Sequence, residues 1–175
     1  MPSRSQLSIR DLTASGVAAA LALVLSYLKL YQLPQGGSIT LAAVPILYLS
    51  FWRGPRAAML AGLLCGMLSL IGGYIIHPVQ LLLDYPLPFA LLGAAGAFTR
   101  TPRLGILVAQ ALRCSCHIAS GITFFASYAP EGVAVWHYAA LYNLSFILPE
   151  TLICVIAVPL LRARLAHVHE ERLRQ

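Results

Sequence analysis

Six apolar stretches constrain this chain more than any motif in it, because the turns between them alternate in charge. The stretches run over about 11–31, 38–52, 57–76, 79–99, 104–127 and 134–161. Arg4 and Arg10 precede the first, Arg53 and Arg56 follow the second, and Arg100 and Arg103 follow the fourth. Arg162, Arg164, Arg172 and Arg174 come after the sixth. The alternate connections, around Gly36, Pro78 and Glu131, carry no Lys or Arg. Ten of the twelve basic residues thus fall on one side of a six-span arrangement. The positive-inside rule makes that side, with both termini, cytoplasmic.

A hydrocarbon core about 30 Å thick takes about 20 apolar residues per helix. With 10% charged residues and a mean hydropathy of +0.77, the 175 residues are filled by one all-α integral membrane domain, 1–175, with no space for a soluble one. The net charge of +6 reads as a topology signal, since no nucleic-acid-binding motif accompanies it. The apolar stretch after Arg10 is longer than a signal-peptide core and has no evident small-residue cleavage site, so an uncleaved first helix is expected.

Asp84 interrupts this apolar setting, with no Lys or Arg within fifteen residues on either side. An ionisable group at membrane depth costs at least ~2.5–3.5 kcal/mol, so it belongs in a polar cavity or beside a partner. Arg113, His117 and Asn143 are the polar candidates on the next two spans. At ~1.5 Å rise per residue, Asp84 lies ~8 Å below the outer end of its span, His117 ~15 Å and Asn143 ~14 Å. Arg113 and His117 are four apart and share a helix face. The group therefore converges on the outer half of the bundle, a site that loads from outside. Tyr74, Tyr85, Phe124, Phe125, Trp136, Tyr138 and Tyr142 surround it. Each could be an interfacial belt residue; together with a carboxylate and an amide they form a pocket for a small, flat, polar molecule. Glu150 beside Pro149 either pairs with Arg113 or caps the break at the proline.

Other chemistry is sparse. There is no G-x-x-x-x-G-K-[ST], H-E-x-x-H or G-x-S-x-G motif, and Lys29 is the only lysine. Cys65, Cys114, Cys116 and Cys154 all fall inside spans; Cys114 and Cys116 point to different faces of a regular helix, so neither metal nor cofactor is expected. Without a nucleotide site, transport by this chain would be passive, ion-coupled or energised by a partner. Gly16 and Ala20, four apart, give the first helix a small-residue face for close helix contact. Three classes stay open: a ligand-binding membrane subunit, an intramembrane enzyme using Asp84 and His117 as acid and base, and an assembly subunit whose polar residues pair helices.

Ordered strings along the chain then carry a resemblance. They are Ile9-Arg10-Asp11-Leu12-Thr13, Val44-Pro45-Ile46-Leu47, Arg53-Gly54, Gly72 with Tyr74, Leu83-Asp84-Tyr85, Leu92-Gly93-Ala94-Ala95-Gly96, His117-Ile118-Ala119-Ser120-Gly121, Ser127-Tyr128-Ala129, and Tyr138 with Asn143. The chain resembles the thiamine-specific substrate-binding subunit, or S-component, of the energy-coupling-factor (ECF) vitamin transporters of prokaryotic plasma membranes. The resemblance implies a transporter subunit and not an enzyme, binding thiamine, or a related heteroaromatic, in the outer half of six helices. Its pocket would include Tyr74, Asp84, Tyr85, Arg113, His117, Phe125, Tyr138 and Asn143. Asp84 would receive the aminopyrimidine or act as counter-ion, with Arg113 holding its geometry. Gly16 and Ala20 would face a transmembrane coupling subunit, and two ATPase subunits would supply energy. Asp84 stands where the family pattern has Glu, Arg113 where it has Lys, Phe125 where it has Trp, and Gly36 or Gly37 where a loop Trp is expected.

Overall fold

Helix starts are marked by local chemistry throughout. Ser8 and Asp11 form a reciprocal capping box that opens α1 (Ile9–Tyr27). A proline occupies the first turn of α3 (Pro55–Leu68), α4 (Pro78–Asp84), α5 (Pro86–Leu91) and α6 (Pro102–Phe124), where its missing N–H leaves no bond unmade. Helix α2 spans Ala43–Trp52, and α7 runs from Val135 to Leu173 straight through Pro149 and Pro159. The computed structural model describes residues 6–173, and side chains for 6–165 of these. Arg4, Arg174 and the Arg172 side chain therefore lie outside the described residues.

Four segments are long and apolar enough to cross a membrane: Ile9–Tyr27, Pro78–Ala97, Pro102–Phe124 and Val135–Leu165. Ala43–Trp52 and Pro55–Leu68 are apolar but shorter. The second stretch starts late because Ser38–Ile39 is not helical; it pairs antiparallel with Tyr31–Gln32, in the register Tyr31 to Ile39 and Gln32 to Ser38. The intervening turn places Gly36 at φ +98°, a conformation glycine adopts without strain. The fourth stretch is broken rather than continuous. Pro86 disfavours the helical conformation at the residue before it, and Tyr85 leaves the helix at φ −120°, ψ −83°. Beyond α5 the chain tightens into a 3-10 helix over Leu92–Ala97.

Small residues let these helices approach closely. The main core between α1, α2, α3 and α5 contains Ala18, Ala19, Ala22, Ala43, Ala57, Ala58, Ala61 and Cys65, all buried. Ser15 of α1 reaches across to the Ala57 carbonyl at 2.9 Å. Gly66 of α3 lies against the break after α4, where an added Cβ would sit 2.5 Å from the Tyr85 carbonyl oxygen. Polarity is inverted relative to a protein in water. Gln80, Gln110, Arg113, Asn143 and Glu150 are buried, whereas Leu141, Leu148, Leu152, Ile156 and Leu160 form an exposed apolar row along α7. This is a membrane protein.

Candidate functional site

Connections on one end of the bundle surround a cavity of about 740 Å³. Its rim comes from the hairpin between α1 and α2, the segment after α3, and the segment between α6 and α7. Its wall includes all eight sequence-predicted residues: Tyr74, Asp84, Tyr85, Arg113, His117, Phe125, Tyr138 and Asn143. Phe124 and Trp136 do not line it; Phe124 stacks on His77, and Trp136 packs against its neighbour His137.

Asp84 ends α4 and is held from three directions. Its Oδ2 accepts from Gln80 Nε2 and from Ser120 Oγ, each at 2.8 Å, while Oδ1 lies 3.3 Å from His117 Nδ1. Gln80 extends this arrangement outward, donating also to the Tyr74 carbonyl at 3.2 Å and accepting from the Ile76 N–H at 3.2 Å. The Tyr85 hydroxyl, thrown out of the helix by the break, accepts from the Tyr74 N–H at 2.8 Å and donates to the Tyr74 carbonyl. The broken fourth segment thus ties the carboxylate to the cavity rim.

Of the two carboxylates the sequence offered Arg113, the helices give it Glu150 and not Asp84. Arg113 Nη1 lies 2.5 Å from Glu150 Oε2, in a pair buried at side-chain exposures of 7% and 0%. The guanidinium also lies over the Phe89 ring, 5.1 Å from its centroid. The physical reason is helix phase: Glu150 on α7 faces inward beside α6, whereas Asp84 meets α6 one turn further along, at His117 and Ser120. Glu150 thereby pairs with Arg113, and its other oxygen accepts from Thr40 Oγ1 at 3.0 Å. A formally neutral Arg113–Glu150 pair leaves Asp84 as the carboxylate on the inner wall, with no guanidinium or ammonium bonded to it among the described residues.

Rings complete the wall. Tyr74 packs on Phe125 and Phe125 stacks on Tyr128; opposite them, Tyr138 stacks on Tyr142, which meets Phe146 edge-on. The Tyr142 hydroxyl accepts from the Gly37 N–H at 2.9 Å and anchors the hairpin to α7. Asn143 donates to the Ala139 carbonyl at 2.9 Å. Among the described residues, Arg113 Nε and His117 Nε2 are buried polar atoms without a hydrogen-bond partner. With Nδ1 carrying the proton toward Asp84, His117 Nε2 is an acceptor lone pair available to a donor. Such a site offers acceptors, one carboxylate and aromatic faces, suited to a flat molecule that donates hydrogen bonds and carries positive charge.

Gln80, Tyr128 and Phe146 line the cavity and the buried Ser120 supports Asp84 from behind it, and none of the four was predicted as a site residue. Gln80 stands four before Asp84, and Ser120 three after His117, so helix spacing from those two residues is the signal that would have found them. Gly16 and Ala20 lie on the exposed side of α1, opposite buried Ser15, Ala18, Ala19 and Ala22.

Comparison with known proteins gives matches along the chain. The family model described as "Thiamine transporter protein" matches residues 12–170. The thiamine transporter ThiT of Bacillus subtilis (strain 168) is 36% identical, over 74% of this chain and 77% of its own. ThiT of Lacticaseibacillus paracasei is 28% identical over 84% of each. The solved structure of ThiT from Listeria monocytogenes superposes with a TM-score of 0.75 at 25% identity, over 86% of this chain and 94% of that one. A structure of the S component of a bacterial ECF transporter shares the fold, with a TM-score of 0.57 at 16% identity over 95% and 98% of the two chains.

Proposed function

Because the chain belongs to the thiamine transporter protein family, we propose that it is the thiamine-binding S-component of an ECF transporter. It captures thiamine from outside the cell for uptake driven by a separate coupling subunit and two ATPase subunits. The observation that carries this reading is Asp84, held on the cavity wall by two neutral donors while Glu150 occupies Arg113. Thiamine has an aminopyrimidine, which donates hydrogen bonds, and a thiazolium, which carries fixed positive charge. Asp84 Oδ1 and His117 Nε2 suit the donors, and the Tyr74–Phe125–Tyr128 and Tyr138–Tyr142–Phe146 walls suit the two rings. Tyr85 and Asn143 complete the ligand set, and Arg113 forms part of its wall.

Orientation follows from charge. The six helical segments sit in the plasma membrane with both termini and the Arg53 and Arg100 connections cytoplasmic, so the cavity faces outward. In support, its rim is built from the connections around Gly36, Gly72 and Tyr128, and Lys29 is the one cation that these rim connections bring to the lining. Gly16 and Ala20 face the coupling subunit.

The test is calorimetric titration of the purified chain with thiamine, alongside native mass spectrometry for a co-purified molecule. Saturable one-to-one binding with thiamine recovered unchanged is the expected result. Turnover of the bound molecule would instead assign Asp84 and His117 an acid–base role, and no binding would discard thiamine as the ligand.

A further inference from the structure

Glu150 is a buried carboxylate for which the ligand set has no use. It is absent from the cavity wall and fully buried, yet it touches two residues that do line it, Arg113 and Thr40. The charged residues in the lining are Lys29, Asp84 and Arg113, with His117 titratable beside them. Lys29 is exposed at the rim, with Nζ 3.2 Å from Gln32 Oε1, where solvent screens it. Arg113 is buried, and its field inside the bundle is screened far less. Unpaired, it would offset Asp84 and remove the preference for a cation.

We propose that Glu150 is a specificity-determining residue that sets which ligand charge the cavity accepts. By neutralising Arg113 from behind the wall, it leaves the Asp84 charge to act on the ligand, so that a monocation is preferred to the same molecule carrying a phosphate. This rests on the thiamine reading and deepens it. Glu150 does not touch the ligand; it acts through Arg113.

Four proteins test the inference: wild type, Glu150→Gln, Arg113→Gln and the double variant, each titrated with thiamine and with thiamine monophosphate. Gln at 150 keeps the side-chain length and can still accept from Thr40, so mainly the charge is lost. Lys29 and Asp84 are common to all four, and their contributions cancel between variants. The ratio of thiamine to monophosphate affinity should fall at least ~10-fold in Glu150→Gln, rise in Arg113→Gln, and return toward wild type in the double variant. A purely structural Glu150 would weaken both ligands by one factor and leave the ratio unmoved, which overturns the proposal. Where the stranded Arg113 prevents Glu150→Gln from folding, Arg113→Gln decides alone: a ratio at or below the wild-type value overturns it. Wild type that binds neither probe removes the thiamine reading and this inference together. Wild type that binds thiamine, with one ratio across all variants, removes this inference only.

Discussion

Gln80 holds Asp84 from one helical turn away, its amide nitrogen 2.8 Å from Oδ2, while the same side chain grips the Tyr74 carbonyl and the Ile76 N–H. Gln80→Met should keep the packing volume and lose all three bonds. Thiamine binding is expected to weaken ~10-fold, and the Ile76 amide, left without its acceptor, should exchange hydrogen faster. Unchanged exchange at Ile76 together with unchanged affinity would show that this amide does not position the carboxylate.

Asp84→Asn removes the charge without stranding a cation, because Arg113 is paired with Glu150. The variant should stay folded in detergent and bind thiamine at least ~100-fold more weakly, a loss of about 2.7 kcal/mol. Asp84→Glu should stay within ~10-fold of wild type, since the resemblance places Glu there. Near-native affinity in a folded Asp84→Asn protein would move the ligand elsewhere.

Gly66→Ala should destabilise the protein through the helix break. The added Cβ would meet the Tyr85 carbonyl oxygen at 2.5 Å, and backbone cannot yield as a flexible side chain does. Overpacking of this kind costs about 1–3 kcal/mol, read as a lower Tm in detergent, with weaker thiamine binding because Asp84 and Tyr85 ride on the displaced segment. An unaltered Tm would mean that the break relaxes freely.

Orientation can be read by thiol labelling in intact cells. Single cysteines at the exposed positions Gln35 and Glu131 should react with an impermeant reagent, and one at the exposed Thr101 should not. The four native thiols are buried and can remain. Labelling at Thr101 would invert the topology.

Gly16→Trp with Ala20→Trp changes an exposed face of α1 that contributes nothing to the cavity wall. Uptake by the assembled transporter should be lost while the isolated subunit binds thiamine as wild type does. Normal uptake would place the coupling subunit on another surface.

Legibility in the sequence differed from residue to residue for physical reasons. Asp84 stood out because a carboxylate in an apolar stretch has few tolerable surroundings, and depth along two antiparallel helices put it in the same outer half as His117, while their 3.3 Å contact came only with the packed helices. The partner of Arg113 could not be read that way. Both Asp84 and Glu150 lie at reachable depths, and only the rotation of α7 selects Glu150. The aromatic lining was visible as a set but not by membership, since Trp136 and Phe124 have the same composition signal as Tyr138 and Phe125. The hairpin at Tyr31–Gln32 and Ser38–Ile39 escaped because two-residue strands carry no periodicity. Pro86 after Asp84-Tyr85 did encode the break in the fourth segment, through its effect on the residue before it.

The alanine-lined contact between α1, α2 and α3 has a consequence for how this sequence can diverge. Truncation has almost nothing to remove at Ala18, Ala19, Ala22, Ala57, Ala58 and Ala61, so nearly every available change there is an enlargement. Tolerance at these sites runs in one direction, toward glycine, and substitution is freer on the exposed row of α7, where one aliphatic residue replaces another without meeting a neighbouring helix.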